Sequence, residues 1–563
     1  MKVIIVGGVA GGATAAARIR RLDEHAEITV FERSGYISYA NCGLPYYIGD
    51  VITDPEELTL QTPESFFKRF RINMKIHHEV ISIHPDRKIV SVKNLENDEI
   101  FEENYDKLIL SPGAKPTQPR LPGAGIDKLF TLRTVEDTFQ IKEYINNNHP
   151  KSALLAGGGF IGLELAENLR ELGMDVTIVQ RPKQLMNPFD PDMASMIHNE
   201  MRKHGVKLVL GYTVEGFKEK DNGVEVLLKD NPSLQADMVV LAIGVTPDTV
   251  LAKEAGLELG IKESIVVNDR METSVPDIYA AGDAVQVKHY VTGNDALISL
   301  AGPANKQGRI IADNICGGDS RYLGSQGSSV IKVFDMTAAT TGINETNAKK
   351  SGLEVDTVIL SPMSHAGYYP GGKVMTMKVV FEKESYRLLG AQIIGYEGVD
   401  KRIDVLATAI HAGLNATQLK DLDLAYAPPY SSAKDPVNMS GFMIDNIAKG
   451  TLKQWHLEDM DKISKDKDVV LLDVRTVGEF SRGHIDGFKN IPVDELRERI
   501  SEIEKGKPVY LICQSGLRSY IASRILEGNG YETYNFSGGF RFYDAVVNDR
   551  VLIERAYACG MDY

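Results

Sequence analysis

The sequence predicts a multidomain α/β protein with two parallel βαβ units, an α+β domain and a final α/β unit. Two segments, at 3–18 and 153–167, run from an apolar strand through a glycine-rich turn into a helix. Alternating polar and apolar residues after about Ser325 indicate an antiparallel sheet, and a buried-strand run begins at Val469. The 563 residues suffice for about three to four domains.

Charge and hydropathy exclude two classes of partner. The formal net charge of −14 argues against nucleic acid. An apolar run of about 18 residues, as a membrane helix requires, is missing from the sequence. Met1 leads directly into the strand-like run 2–6 without the pattern of a signal peptide. We therefore expect a cytoplasmic protein that does not bind membranes.

The four cysteines are widely separated, at Cys42, Cys316, Cys513 and Cys559. Their spacing predicts neither a disulfide framework nor a metal site. Isolated cysteines in a reducing compartment are buried apolar residues or reactive thiols. Local sequence singles out Cys42 and Cys513 as reactive; we expect Cys316 to be structural and assign no role to Cys559.

The second glycine-rich turn matches a dinucleotide-binding fingerprint. Its glycines permit a tight turn, backbone approach to a pyrophosphate and close packing of helix on strand. The next strand ends in Gln180 where a ribose-binding carboxylate is usual, and Arg181 is suited to a 2′-phosphate. NADH is slightly favoured over NADPH, and both side chains pointing to solvent is an equal alternative. The predicted NAD(P)H-binding residues are Gly157, Gly159, Phe160, Ile161, Gly162, Gln180 and Arg181.

The first turn departs from this fingerprint, because Val9 stands where the second glycine is expected. Extra glycines around it supply flexibility, and Glu32 takes the position of a ribose-binding carboxylate. The alternative is a glycine-rich turn without a ligand. The residues assigned to this dinucleotide site are Gly7, Gly8, Ala10, Gly11, Gly12, Glu32 and Arg33.

The segment 273–283, TSVPDIYAAGD, resembles the second FAD motif of the two-dinucleotide-fold flavoprotein disulfide reductases. The resemblance spans roughly residues 1 to 445. It implies FAD on the first Rossmann-like unit, a nicotinamide nucleotide on the second, and an α+β interface domain that makes a homodimer. It also implies that Asp283 hydrogen-bonds the flavin ribityl chain.

Cys42 lies in Ser38–Tyr47, just after the first unit's second strand, without a second cysteine nearby. A single thiol can cycle through a mixed disulfide or persulfide if its pKa is low. The segment resembles the coenzyme A disulfide reductase branch of single-cysteine reductases. The rival branch, NADH oxidases and peroxidases, pairs this cysteine with a histidine that would fall at position 10, where this chain has Ala10.

Basic residues supply candidate phosphate contacts. Thr14, Arg18 and Arg21 share one helix face, and Lys68 and Arg71 follow a Phe66–Phe67 pair suited to stacking on adenine. A solvated helix face is the alternative for the two arginines on spacing alone. The resemblance implies a coenzyme A site lined by Thr14, Arg18, Arg21, Ser38 and Asn41, to which we add Lys68 and Arg71.

The resemblance also implies two tyrosines that reach across the dimer to the active cysteine. They match Tyr368 and Tyr426, although Tyr369 and Tyr430 are alternatives because both patterns are doubled. A phenol can donate a hydrogen bond or a proton to a leaving thiolate. Interface packing is the other interpretation of these rings.

The last unit resembles a rhodanese domain. The run 510–519, YLICQSGLRS, places Cys513 between a strand and a helix start, where backbone N–H groups and Arg518 favour a thiolate. Four residues separate Cys513 from Arg518, whereas related phosphatases have five, so sulfur transfer is favoured over phosphate hydrolysis. Asp473, Arg475, Glu479 and His484 are expected to hold the fold and the loop.

The expected domains are a FAD-binding domain at 1–112 and 245–322, an NAD(P)H-binding domain at 113–244, a dimerisation domain at 323–446, a linker at 447–458 and a rhodanese domain at 459–563. We expect NAD(P)H-driven, FAD-dependent reduction of coenzyme A persulfide, polysulfide or disulfide at Cys42, with sulfur carried by Cys513. The alternatives are an NADH oxidase or peroxidase using a Cys42 sulfenic acid, and a sulfur carrier whose flavin is a sensor.

Overall fold

The computed structural model describes residues 1–221 and 223–558. They form two compact units, Met1–Lys183 with Gly205–Gly327, and Gln184–His204 with the described residues from Ser328 onward. Cys559 lies outside the described residues. Among those residues, no helix is long and apolar enough to cross a membrane.

Each predicted βαβ unit is built on a five-stranded parallel sheet. The strands are buried apolar runs, as parallel sheets covered on both faces require. The first sheet has the order Ile278–Ala280, Lys107–Leu110, Lys2–Val6, Glu27–Phe31, Asn73–Lys75. The second has the order Leu129–Thr131, Met238–Leu241, Ser152–Ala156, Asp175–Gln180, Lys207–Leu210.

Smaller antiparallel sheets join and flank these two domains. The chain was predicted to cross between the two domains after residue 112. Strand Ala114–Pro116, where the chain leaves the first domain, pairs antiparallel with strand Val245–Pro247, where it returns. The other small sheets are His78–His84 with Ile89–Asn94 and Ile100–Asn104, Val214–Lys220 with Gly223–Leu228 and Asn231–Ala236, Ile37–Tyr39 with Thr59–Gln61, and Val287–Lys288 with Asp295–Ala296.

The α+β domain has the expected antiparallel sheet and following helix. The sheet order is Ser329–Val333, Met336–Gly342, Leu388–Gly395, Met375–Glu382, Val355–Leu360. The helix Val399–His411 packs its apolar side on this sheet.

The C-terminal domain has a parallel sheet in the order Gln454–Trp455, Thr533–Phe536, Val509–Ile512, Val470–Asp473, Lys489–Asn490. Its edge strand therefore lies within the stretch 447–458 that was expected to be a linker. Trp455 is 2% exposed and packs on Phe536 with ring centroids 4.4 Å apart, which fixes this strand to the domain.

The α-helices agree with the predicted organisation. They are Ala10–Leu22, Leu44–Ile48, Pro63–Phe70, Val135–Asn148, Phe160–Glu171, Pro191–Lys203, Val250–Glu254, Ala301–Ile315, Glu345–Lys350, Val399–His411, Pro436–Ala448, Met460–Ile463, Val477–Arg482, Leu517–Glu527 and Gly539–Ala558. One placement differs from expectation: the segment 184–204, expected in the NAD(P)H-binding domain, groups with residues 328–563. Hydrogen bonds of Asp190 and His198 attach this segment to those residues.

Candidate active sites

The second glycine-rich turn has the geometry that a dinucleotide requires. Gly157 has φ +121°, and a Cβ on it would lie 2.2 Å from the carbonyl oxygen of Ala242. A Cβ on Gly162 would lie 2.1 Å from the Gly157 oxygen, whereas nothing lies within 4 Å of one on Gly159. Gly157 is thus required by the tight turn and Gly162 by the close packing of the helix on it. Gly159 faces open space at the start of helix Phe160–Glu171. The residues fit a bound pyrophosphate.

Gln180 lies at the end of the adjacent strand and accepts a hydrogen bond from Gly158 N at 3.1 Å. Arg181, the next residue, is exposed. Because Gln180 is a neutral amide, it does not repel a 2′-phosphate as a carboxylate would, and the Arg181 guanidinium beside it is exposed. The side chain of Gln180 therefore faces the turn, and Arg181 is free to meet solvent or ligand.

The first turn repeats this arrangement with a carboxylate. Glu32 is 8% exposed, and it accepts hydrogen bonds from Gly8 N at 2.8 Å and Ser34 N at 2.9 Å. A Cβ on Gly12 would lie 1.9 Å from the Gly7 oxygen, so the helix Ala10–Leu22 starts tight against the turn. The glycines and Glu32 fit a dinucleotide. Arg33 is exposed and pairs with Asp248 at 2.9 Å.

Asp283, the residue matched to the flavin ribityl contact, lies in the short turn Gly282–Ala284 after the edge strand Ile278–Ala280. Its Oδ2 accepts a hydrogen bond from Arg133 Nη2 at 2.6 Å. Sequence reasoning missed Arg133, because no local pattern marks an arginine that reaches a turn 150 positions away. The pair places a cation beside the predicted flavin-binding carboxylate.

Cys42 lies in a single turn, Asn41–Gly43, immediately before helix Leu44–Ile48. The side chain reaches solvent, yet surrounding protein limits the hydration of a thiolate, and this burial raises the pKa of Cys42. Nearby Glu164 raises that pKa further, whereas Arg133 lowers it. The pKa of this thiol therefore lies above its usual value, because burial and the nearby carboxylates outweigh the effect of Arg133.

Glu164 is the second functional candidate that sequence reasoning missed. It lies on helix Phe160–Glu171, and burial together with nearby Glu167 raises its pKa to about 7. Burial and the same two carboxylates raise the pKa of Tyr46 to about 12. A titratable carboxyl near neutral pH thus shares the surroundings of Cys42. Its only sequence signal was its place two residues after Gly162.

The predicted coenzyme A residues fall into engaged and exposed groups. Thr14 hydrogen-bonds to Asn305, and Arg18 Nε pairs with Asp313 Oδ1 at 2.8 Å, so both contact helix Ala301–Ile315. Ser38 and Asn41 are partly buried beside Cys42 in sequence. The exposed members are Arg21, Lys68 and Arg71.

The two basic groups are held together by Arg20, a buried arginine that the sequence analysis passed over. Its Nε donates to the Phe70 oxygen at 2.7 Å and its Nη2 to the Arg71 oxygen at 3.0 Å. Phe66 is buried and cannot stack on a ligand, which corrects one half of the expected aromatic pair. Phe67 is 44% exposed, with the Arg71 guanidinium 5.2 Å from its ring centroid.

The structure brings Tyr368 and Tyr426 together, with hydroxyl oxygens 2.8 Å apart. Both rings are exposed, at 76% and 45%. The hydrogen bond with Tyr368 raises the pKa of Tyr426. Tyr369 instead packs edge-on against His365, and Tyr430 lies exposed. The paired hydroxyls favour Tyr368 and Tyr426 over the alternatives.

Cys513 follows strand Val509–Ile512 and is 0% exposed. Its Sγ accepts a hydrogen bond from Gly516 N at 3.1 Å and from Ser519 Oγ at 3.2 Å. Several backbone N–H donors were expected around this sulfur. Within the described residues, the sulfur instead accepts from one backbone N–H and one hydroxyl. Both stabilise negative charge on the sulfur. Ser519 was missed, although it lies one turn into the helix that follows.

Arg518 is held in a bidentate pair with Glu479, with both N–O distances 2.7 Å. The Arg518 hydrogen bonds hold the pKa of Glu479 at about 2. Asp473 and Arg475 form a second, buried pair at 2.6 Å, with Arg475 against the Phe540 ring. His484 stacks on Phe480. Of these contacts, the Glu479–Arg518 pair reaches the Cys513 loop directly, and Arg475 packs on Phe540, whose backbone N donates to the Cys513 oxygen.

Cys316 is partly buried against the core of the first domain, and burial raises the pKa of its thiol. It lies among apolar side chains of that core. This setting is the one expected of a structural cysteine.

Comparison with known families matches three consecutive parts of the chain. Residues 1–308 match the pyridine nucleotide-disulphide oxidoreductase family, 328–436 its dimerisation domain, and 456–545 the rhodanese-like domain. A coenzyme A disulfide reductase of Staphylococcus aureus is 38% identical over 442 residues, which are 78% of this chain and 99% of the relative.

Solved structures resemble the chain over most of its length. The reduced Bacillus anthracis CoADR-RHD is 48% identical, with a TM-score of 0.95 and 98% of both chains covered. A NAD-dependent persulfide reductase from A. fulgidus is 38% identical, with a TM-score of 0.90, covering 96% of this chain and all of the other. A water-forming NADH oxidase from Lactobacillus brevis, 30% identical with a TM-score of 0.77, covers 80% of this chain and 99% of its own.

These matches confirm the predicted fold class, and the family description names the pyridine nucleotide that the second turn was predicted to bind. A similar solved structure from Desulfovibrio vulgaris, 28% identical with a TM-score of 0.65 and covering 79% of this chain and all of its own, is described as FAD-dependent. The family matches extend over the glycine-rich turns, Asp283 and the Cys513 loop described above. The chain belongs to the pyridine nucleotide-disulphide oxidoreductase family and carries a C-terminal rhodanese-like domain.

Proposed function

We propose that the chain reduces the sulfur–sulfur bond of coenzyme A persulfide, polysulfide or disulfide at Cys42, while its rhodanese domain carries sulfane sulfur on Cys513. One observation carries the proposal. The same chain holds Cys42, which reaches solvent, and Cys513, whose sulfur accepts a hydrogen bond from a backbone N–H of the rhodanese-like domain. A sulfurtransferase has no evident task in plain disulfide reduction, so persulfide is the preferred substrate. The relative named for coenzyme A disulfide reduction supports a coenzyme A substrate, and the structure named for persulfide reduction supports the persulfide.

In the proposed reaction the Cys42 thiolate attacks the outer sulfur of coenzyme A persulfide. The sulfur–sulfur bond breaks, coenzyme A leaves as its thiolate, and a persulfide remains on Cys42. Reduction by two electrons, with two protons, releases hydrogen sulfide and restores the Cys42 thiol. Bound FAD supplies the electron relay from the nicotinamide to sulfur.

The chain's own groups support binding and proton transfer. Exposed Arg21, Lys68 and Arg71 are suited to the phosphates of coenzyme A, and Phe67 to its adenine. The hydroxyl pair Tyr368–Tyr426 has a proton to donate to a leaving thiolate. We place this pair at the cysteine of the second subunit of a homodimer, as the dimerisation domain supports.

At the rhodanese site, the Cys513 thiolate attacks the outer sulfur of a donor such as thiosulfate, the donor's sulfur–sulfur bond breaks, sulfite leaves, and the transferred sulfur remains on Cys513 as a persulfide. The Gly516 N–H and the Ser519 hydroxyl stabilise the thiolate before attack. Arg518, held by Glu479, attracts the anionic donor. Coenzyme A thiolate then takes the sulfur and becomes the persulfide that Cys42 consumes.

The test is anaerobic oxidation of NADH and NADPH by the purified protein, with coenzyme A persulfide, coenzyme A disulfide and hydrogen peroxide compared. Cys42→Ser and Cys513→Ser are the test variants, and Cys316→Ser is the matched control. We expect persulfide turnover that Cys42→Ser abolishes and that Cys513→Ser weakens only when sulfur comes from thiosulfate.

Two outcomes would replace the proposal. Peroxide turnover that does not depend on coenzyme A would establish the oxidase or peroxidase alternative. The similar NADH oxidase structure supports this alternative, whereas Ala10, in place of the expected histidine, disfavours it. Negligible turnover with every acceptor would establish a sulfur carrier whose flavin is a sensor.

A further inference from the structure

The last helix of the rhodanese domain, Gly539–Ala558, continues beyond residue 545, where the match to the rhodanese-like family ends. The continuation carries Asp549, a carboxylate 1% exposed. Its Oδ2 lies 2.8 Å from His198 Nδ1 and its Oδ1 lies 2.5 Å from Arg202 Nη1. Both partners belong to helix Pro191–Lys203, outside the rhodanese domain. A buried carboxylate thus joins two domains.

The hydrogen bonds of His198 define its protonation. Its Nε2 lies 3.0 Å from the backbone N of Leu185, which can only donate, so Nε2 is an acceptor. Nδ1 therefore carries the proton and donates it to Asp549, and the ring is neutral. Burial opposes ionisation of Asp549, but hydrogen bonds from His198 and Arg202 outweigh it and lower the pKa of Asp549. The contact is an ionised carboxylate bound by one cation and one neutral donor.

The other end of helix Pro191–Lys203 is fixed to the dimerisation domain. Asp190, its N-cap, accepts hydrogen bonds from Thr346 N at 2.9 Å and Gln392 Nε2 at 2.6 Å. Lys378, 1% exposed, pairs with Asp192 at 2.8 Å and Glu345 at 2.7 Å. One helix therefore connects the dimerisation sheet at its start with the rhodanese domain at its end.

A second contact joins the same two domains at the edge strand Val355–Leu360. Ile359 N donates to Ser537 Oγ at 3.0 Å in a buried hydrogen bond. His456 Nε2 lies 3.0 Å from Asp356 Oδ1, and Gln454 Nε2 donates to the Thr357 oxygen at 2.8 Å. Two separate attachments oppose rotation of the rhodanese domain, which one flexible linker would allow.

The docked helix also supports the Cys513 loop. Phe540 N, in its first turn, donates to the Cys513 oxygen at 2.7 Å, and Arg541 N to the Gln514 oxygen at 3.2 Å. A Cβ on Gly539 would lie 2.6 Å from Ser515 N, so helix and loop are in close contact. The helix that Asp549 fixes is therefore the helix that carries the loop of the sulfurtransferase thiol.

We propose that Asp549 is a positioning residue that locks the rhodanese domain onto helix Pro191–Lys203 and holds the Cys513 loop in one orientation on the dimerisation domain. The lock itself follows from the contacts, and its purpose rests on the proposed function. A Cys513 loop that keeps one orientation presents its persulfide sulfur to the accepting coenzyme A thiol from a constant position.

The test compares Asp549→Ala and Arg202→Gln with Asp544→Ala, an exposed aspartate on the same helix. Trypsin cleavage near exposed Lys449 and Lys453 reports release of the domain. Sulfur transfer from thiosulfate to cyanide reports the Cys513 site alone. Anaerobic NAD(P)H oxidation with thiosulfate and coenzyme A reports coupling of the two sites.

We expect Asp549→Ala to speed cleavage about tenfold or more, because proteolysis follows the open population. Its coupled rate should fall severalfold while thiosulfate-to-cyanide transfer stays within about twofold, and Asp544→Ala should match the parent. Parent-like cleavage and coupling in both test variants would overturn the lock. Loss of cyanide transfer would assign Asp549 to domain folding and overturn its positioning role, and a coupled rate above the parent would show that fixation hinders transfer. If the parent shows no coupled rate, the proposed function fails, and cleavage still decides the lock.

Discussion

The two reactive thiols of this chain lie in opposite settings. Cys42 reaches solvent in a single turn, and surrounding protein and Glu164 raise its pKa. Cys513 is fully buried, yet a backbone N–H and a hydroxyl point at its sulfur. The loop around Cys513 thus stabilises negative charge on its sulfur, whereas the protein around Cys42 opposes it. Under the proposed function, Cys42 therefore needs the nucleotide and substrate beside it to become reactive.

The largest effect should come from removing the thiol that lacks local activation. We expect Cys42→Ser to lower NAD(P)H oxidation with coenzyme A persulfide by about 10³-fold or more, because a serine hydroxyl neither attacks sulfur nor holds a persulfide. Anaerobic spectrophotometry at 340 nm measures the rate. Cys316→Ser should retain the parent rate. A similar loss in that variant would contradict the assignment of Cys42 as the thiol that reacts with the substrate.

Removing the other thiol should separate the two activities. Cys513→Ser should lower thiosulfate-to-cyanide sulfur transfer by about 10³-fold and leave coenzyme A disulfide reduction within about twofold. The physical reason is that Cys513 has its own donors and contributes no group to the Cys42 turn. Stopped assays of thiocyanate and of NAD(P)H consumption give both rates. A parallel loss of disulfide reduction would mean that the two thiols act as one site.

The positions of both thiols were predictable from sequence, because short motifs mark them, but their opposite settings were not. The glycines of both turns, Cys42, and the Cys513-to-Arg518 spacing depend on residues near in sequence. Ser519 lies inside the Cys513 motif and its hydroxyl was passed over, whereas Arg133 and Glu164 were missed because their roles arise from contacts across the fold. The segment 184–204 was assigned to the NAD(P)H-binding domain for the same reason, since Asp190 and His198 reach their partners only in the folded chain. The strand Gln454–Trp455 is too short to give a periodic signal.

A smaller effect should come from the support of Arg518. Glu479→Gln removes the charge that orients the guanidinium, and we expect kcat/KM for thiosulfate to fall about tenfold. Since the pKa of Glu479 is lowered to about 2, the pair is complete at neutral pH and breaks only as pH falls toward that value. Activity measured from pH 8 to about 4 should therefore show no acid limb from this pair. Glu498→Gln, at an exposed position, is the control, and an acid limb that Glu479→Gln removes would contradict the account.

The smallest expected effect concerns the electrostatics of Cys42. Glu164 has a pKa of about 7, so above neutral pH its negative charge raises the pKa of the thiol. Glu164→Gln removes that charge, and alkylation of Cys42 by iodoacetamide at pH 8 should become several times faster. Mass spectrometry of the Cys42 peptide across a pH series measures the shift. Exposed Glu171→Gln should leave the profile unchanged, and slower alkylation in Glu164→Gln would reverse the assigned sign.

The most direct test of the central claim locates the sulfur on each thiol. The purified protein is treated anaerobically, without NAD(P)H, with thiosulfate or with coenzyme A persulfide, and its cysteine peptides are alkylated and weighed. We predict one added sulfur on Cys513 with thiosulfate, and on Cys42 with coenzyme A persulfide in a Cys513→Ser background. Added sulfur on Cys513 only, with Cys42 unmodified by any coenzyme A compound and oxidised by peroxide instead, would contradict the account.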